Sequence, residues 1–253
     1  MNRNELVSYL DSYLDPDKIK DDSINGLQVP GDEQVSKIAV ATDATLDAFK
    51  ASVENGCNFL FAHHGMFWSY RKEGRITPLF KKKLQFLFDN NLSVYASHLP
   101  LDMHPECGNN KVLFDLLELQ NPELMGLYHG SLIGMMGTVK NQKTNFNDFV
   151  TLIETQLQDK VNAYHFSGKP VKKVAIITGG GQFGLKEAQE RDFDTFITGE
   201  MNHYMYHVAK ENGINVILAG HYRTETLGPK AVAQHLKQKF GLDYVFLDFP
   251  TRL

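Results

Sequence analysis

Short apolar runs separated by helical stripes constrain this chain more than any other feature. Residues 37–42, 58–62, 92–97, 174–178, 195–198 and 216–219 are nearly uninterrupted apolar segments, not alternating ones. Strands buried on both faces read this way, as in a parallel sheet covered by helices. Between these runs, Leu46, Phe49 and Val53 recur at helical spacing before Gly56, and further helical patterns cover residues 79–88, 112–117, 146–157 and 224–240. An opening helix carries Leu6, Leu10, Tyr13 and Leu14 and is stopped by Pro16, while Asn25-Gly26 marks a turn. A strand-like run at 132–139 follows Gly130, and 244–249 is a closing strand. The class predicted is α/β, with largely parallel sheets flanked by helices.

The pattern also echoes itself. Residues 37–43 (KIAVATD) align with 173–179 (KVAIITG), and the same offset places 61–64 (FAHH) against 197–200 (ITGE). This spacing predicts two related lobes facing a cleft, each a largely parallel sheet with helices. The first lobe comprises 1–125 with 221–253 and carries most of the candidate ligands; the second comprises 126–220 and closes the cleft.

Charge and composition exclude several functions. A formal net charge of -4 gives no broad basic surface for a phosphate backbone, so no nucleic-acid partner is expected. Lys81, Lys82 and Lys83 lie in a helical pattern and read as a solvated face. The two cysteines, Cys57 and Cys107, do not make a disulfide framework. Neither a signal-like apolar core near the N-terminus nor a membrane-length apolar stretch is visible, so a cytoplasmic protein with no membrane partner is expected.

The chemistry gathers at strand ends. His63 and His64 follow the run 58–62, His98 follows 92–97, and His221 follows 216–219. Ligands of open parallel sheets bind at the carboxyl ends of strands, so these imidazoles are expected along one edge. Asp102 lies four residues beyond His98, and Glu225 four beyond His221, at the start of the last helical pattern. Imidazole and carboxylate together suit zinc, manganese, iron or cobalt. Five such groups exceed the needs of one open metal and point to two ions with a bridging carboxylate.

The segments 22–28 (DSINGLQ), 61–65 (FAHHG), 97–102 (SHLPLD), 197–203 (ITGEMNH) and 219–225 (AGHYRTE) together resemble the NIF-three-like family, the GTP cyclohydrolase 1 type 2 homologues. The resemblance runs nearly end to end. It implies a two-lobed α/β subunit of the NIF-three-like fold, a ring-shaped homohexamer (a toroid built as a trimer of dimers) and a dinuclear centre. By motif, His63 and His64 would bind different ions, Asp102 would join the ion of His64, His221 that of His63, and Glu225 would bridge.

The reaction predicted is metal-assisted hydrolysis of a nucleotide-like or phosphorylated small molecule, with Glu225, His98 and Glu200 as candidate catalytic groups. His203, Gly180 and Gly181 are candidate substrate contacts, the glycines because amides near a helix start receive phosphate or carboxylate. The alternative is a non-enzymatic metal-delivery or interaction scaffold. The stretch 179–184 (GGGQFG) also satisfies a dinucleotide fingerprint, but lacks a separate acidic strand-end partner about twenty residues on, and no such cofactor is expected. His203 and His207 are spaced for one helical face but lack the glutamate of a His-Glu-x-x-His site.

Overall fold

The computed structural model describes residues 1–69 and 76–251. In chain order its elements are α1 (Arg3–Leu14), β1 (Gly26–Val29), β2 (Lys37–Asp43), α2 (Leu46–Glu54), β3 (Phe59–His64), α3 (Pro78–Asp89), β4 (Ser93–Ala96) and the single-turn α4 (Leu99–Asp102). There follow α5 (Asn109–Leu116), β5 (Gln120–Tyr128), β6 (Ser131–Thr138), α6 (Phe146–Leu157), β7 (Asn162–Tyr164), β8 (Lys173–Ile177), α7 (Leu185–Glu190) and β9 (Thr195–Thr198). The chain closes with α8 (His203–Glu211), β10 (Asn215–Leu218), the single-turn α9 (His221–Thr224), α10 (Leu227–Phe240) and β11 (Asp243–Phe246). No described helix is long and apolar enough to cross a membrane.

The chain forms two compact units, one of Met1–Leu101 with Gly228–Phe249, the other of Asp102–Leu227 with the terminal residues from Pro250. The first holds a sheet of order β1-β4-β3-β2-β11, in which only the β1–β4 ladder is antiparallel. Its central strands are apolar on both faces because both are covered: Ile38 to Ala41 and Phe59 to Ala62 are all buried. Helix α1 begins where Asn2 accepts the Asn4 and Glu5 N–H groups, buries Leu6, Leu10 and Leu14, and stops at left-handed Asp15, just before Pro16.

The second unit's sheet has the order β5-β6-β8-β9-β10-β7, and it is mixed. Only β8–β9 and β9–β10 pair in parallel; β5–β6, β6–β8 and β10–β7 are antiparallel. The α/β class and the helix-flanked sheets agree with the sequence reading, but this sheet is parallel only at its centre. The reason is local. His129 and Gly130 both have positive φ, 47° and 88°, and make a two-residue turn that folds β5 back on β6. β5 escapes an apolar-run reading because its first five residues are exposed. Helix α5, expected in the first lobe, contributes Leu113 and Phe114 to the second unit's core, with Phe149 and Ile153 of α6 and Ile176, Ile197 and Ile217 of the strands. Truncating Phe149 to alanine is expected to cost about 3–5 kcal/mol.

Candidate metal centre

Three imidazoles crowd the carboxyl edge of the first sheet. β3 ends on His63 and His64, and the neighbouring β4 leads directly into Ser97 and His98. The ring centroids lie 4.6 Å (His63–His64), 5.1 Å (His63–His98) and 5.5 Å (His64–His98) apart. One ligand atom from each lies within 4.8 Å of the others.

Hydrogen bonds set the tautomer of all three. The Nδ1 of His63 is 3.0 Å from the Ser97 carbonyl oxygen, that of His64 is 2.9 Å from Asp43 Oδ1, and that of His98 is 2.8 Å from Asp21 Oδ1. Carbonyl and ionised carboxylate oxygens only accept, so each Nδ1 carries a proton, and in a neutral imidazole that leaves the lone pair on Nε2. Such outer partners orient metal-binding histidines and raise their basicity. Three imidazoles that each offer a nitrogen within 4.8 Å of the others could hold a cation, and imidazole suits the first-row divalent ions.

Asp21, with a side chain only 3 % exposed, is itself tightly held. Its carboxylate accepts the Ser23 and Leu99 N–H groups and the Asn25 amide, while Asn25 Oδ1 accepts the His98 N–H at 2.8 Å. Burial pushes Asp21 toward the neutral form, but its hydrogen bond and attraction to His98, with the Asn25 and Ser23 bonds, outweigh this and bring its pKa to about 2. The chain's single tryptophan, Trp68, packs edge-on to His98 with centroids 5.1 Å apart, and its Nε1–H donates to the Gly65 carbonyl.

The second unit carries its own cluster, again at the ends of parallel strands. His221, just past β10, has Nδ1 3.1 Å from Glu200 Oε1 and Nε2 3.0 Å from Glu225 Oε2. The hydrogen bond with Glu225 leads, attraction to both carboxylates adds to it, and together they overcome burial and hold the His221 pKa at about 9. An ion taken up at Nε2 must therefore displace a proton over most of the neutral range. Glu225 sits in the break between α9 and α10, not inside the last helix, and is buried. Gly179 makes the space for it: φ is +63° and an added Cβ would stand 2.0 Å from Glu225 Oε1.

Asp102, also buried, accepts Asn109 Nδ2 at 2.8 Å and the Thr178 hydroxyl at 3.4 Å. Asn110 ties the Asp102 carbonyl to the Ile133 carbonyl and receives the Thr178 N–H. Of the expected substrate contacts, Gly180 lies beside Glu200 and His221, whereas the Gly181 N–H is engaged by Thr198 Oγ1 and its Cβ position is filled by Ile177. His203 opens α8 next to His207, with ring centroids 5.1 Å apart. The sequence reading overlooked Asp21, Asp43, Asn109 and Asn110. Asp43 had a signal, since it closes an apolar strand as the histidines do, and Asp21 directly precedes the 22–28 motif.

Known proteins share this arrangement of elements from end to end. The model of the Duf34/NIF3 (NGG1p interacting factor 3) family matches residues 1–252. A protein of Pyrococcus horikoshii named GTP cyclohydrolase 1 type 2 homolog is 44% identical over 257 residues, covering 100% of both chains. Among solved structures, protein ybgI, described as of unknown function, superposes with a TM-score of 0.92 at 32% identity, and TTHA1606 from Thermus thermophilus with 0.89 at 40%, each covering 100% of both chains.

Proposed function

The chain belongs to the Duf34/NIF3 family, and from that premise we propose that it is a metal-dependent hydrolase whose two divalent ions are held by His63, His64, Asp102, His221 and Glu225. The observation that carries this reading is the set of imidazoles with Nδ1 fixed by an acceptor: His63 by a carbonyl, His64 and His221 by carboxylates. Glu225 and Asp102 add two buried carboxylates, which are costly to bury unless hydrogen-bonded and matched by positive charge. Zinc, manganese, iron and cobalt all suit this mixture. Bound there, such ions would supply Lewis-acid activation of water and of an electrophilic carbon or phosphorus.

The protein's own groups divide the remaining work. Asp43 and Glu200 would hold His64 and His221 in the metal-binding tautomer, and the 53% exposure of Glu200 supports a role in carrying a proton to solvent. His98 borders the same cluster. Gly180 and His203 are the proposed contacts to a nucleotide-like or phosphorylated substrate, a class suggested by the name of the relatives. A homohexamer is part of this reading, and light scattering tests it with six chains expected.

The activity is tested by loading the purified chain with each of the four metals and screening phosphomonoesters, nucleotides and GTP. Expected is metal-dependent turnover that falls at least ~100-fold in Glu225→Ala. A metal-loaded wild type that turns over none of these would replace catalysis with metal delivery or scaffolding.

A further inference from the structure

His64 and His98 are equipped in the same way. Each Nδ1 is bound to an aspartate oxygen, at 2.9 Å in one case and 2.8 Å in the other, and each ring stands within about one ring's width of fully buried His63. Asp21 is the more deeply buried of the two aspartates, 3% exposed against 37% for Asp43. It is also the more heavily bonded, because the turn through Ser23 and Asn25 supplies it with further donors. A buried carboxylate held in this manner, with Asn25 also gripping the His98 backbone, gives the imidazole one orientation and one tautomer.

A histidine needed only for packing would not require so fixed an orientation beside two other imidazoles. Each of the three rings offers a nitrogen within 4.8 Å of those of the other two. Resting on the metal reading above, we propose that His98 is a sixth protein donor of the centre. It completes a three-imidazole set with His63 and His64 on the first unit, and Asp21 with Asn25 is the device that aims it. Ser23 and Asn25 of the segment 22–28 thereby become part of the support of the metal site. Asp21 and Asn25 are positioning residues; they touch the ion only through His98.

Cobalt titration of the chelator-stripped full chain tests this, read by visible absorption and by quenching of Trp68, which lies against both His64 and His98. In His98→Asn a side-chain N–H remains to bond Asp21 while the Nε2 donor is lost. The expected result is a changed cobalt spectrum and affinity reduced by roughly 10–100-fold. Asp21→Asn is expected to keep the donor, and with it the spectral shape, while losing about tenfold in affinity. His165→Asn, a histidine stacked on Phe146 in the other unit, is expected to behave as wild type.

Wild-type spectrum and affinity in His98→Asn overturn the assignment of His98 alone, whereas a wild type that binds no cobalt overturns the metal reading itself. Circular dichroism checks the fold of each variant. Should His98→Asn not fold, histidine nitrogen NMR of the zinc-loaded wild type reads the same contact: coordination moves the His98 Nε2 resonance, and an unmoved resonance refutes the proposal.

Discussion

The strand pairs β2–β3 and β8–β9 are built to one plan and finished with different chemistry. Ile38 pairs with Phe59 and Val174 with Thr195, so residues related by the internal echo occupy equivalent places in the two parallel ladders. At the carboxyl ends the equivalence breaks down: Asp43 corresponds to Gly179, His63 to Gly199 and His64 to Glu200. In the first unit the imidazole stands on the second strand of the pair and its carboxylate on the first, 2.9 Å away. In the second unit the carboxylate, Glu200, takes the place of His64, and the imidazole, His221, comes from the next strand, 3.1 Å away. One backbone plan thus yields two carboxylate–imidazole pairs with the partners exchanged. The lesson is that a parallel strand end provides a position, and the residue placed there decides whether it serves as ligand or as orienting group.

The largest effect is expected where the two edges differ most in space. Gly179→Ala puts a Cβ into the Glu225 carboxylate and forces a left-handed backbone on alanine, which costs about 1–3 kcal/mol for the backbone alone. Urea unfolding is expected to show that loss together with depleted metal. The reciprocal change, Asp43→Gly, is expected to leave the unfolding midpoint much closer to wild type. Equal destabilisation by both would mean the edges are not specialised as described.

A smaller effect sharpens the exchange of partners. Asp43→Asn and Glu200→Gln each keep a side-chain oxygen but lose the charge, and each is expected to lower zinc affinity by roughly 10–100-fold in competition with a chelator. A response confined to one variant would show that only one unit's pair orients a ligand.

An effect confined to acid pH concerns Asp21. Its folded pKa, about 2, lies below the ordinary 3.8. Its contribution is therefore fully present above about pH 4 and is lost as pH falls through about 2. The amount is on the order of 2 kcal/mol, and Asp21→Asn is expected to flatten the acid limb of the stability curve over that window. An unchanged acid limb would remove Asp21 from the list of tightly held carboxylates.

Much of this was legible in the sequence, for physical reasons that also explain what was not. Strands buried on both faces cannot hide: 37–42, 58–62 and 174–178 each mark a central strand, and the histidines after 58–62, 92–97 and 216–219 fall at strand ends as expected. β5 and the three-residue β7 were invisible because these two edge strands are largely exposed or half-buried and display no apolar run. The last helix was read from residue 224, but Glu225 stands in a break, and helical spacing alone does not distinguish a one-turn helix from the start of a longer one. The partners of the histidines were the hardest to see. Asp21 reaches His98 across 77 positions of sequence, and no local periodicity records such a contact.

The central claim, a centre of two divalent ions, is tested most directly by metal content. The protein is purified without added metal or chelator and analysed per chain beside His64→Ala and Glu225→Ala. The account predicts about two transition-metal equivalents in the wild type and a sharp fall in both variants. No bound metal in the wild type, or the same content in all three proteins, would contradict it.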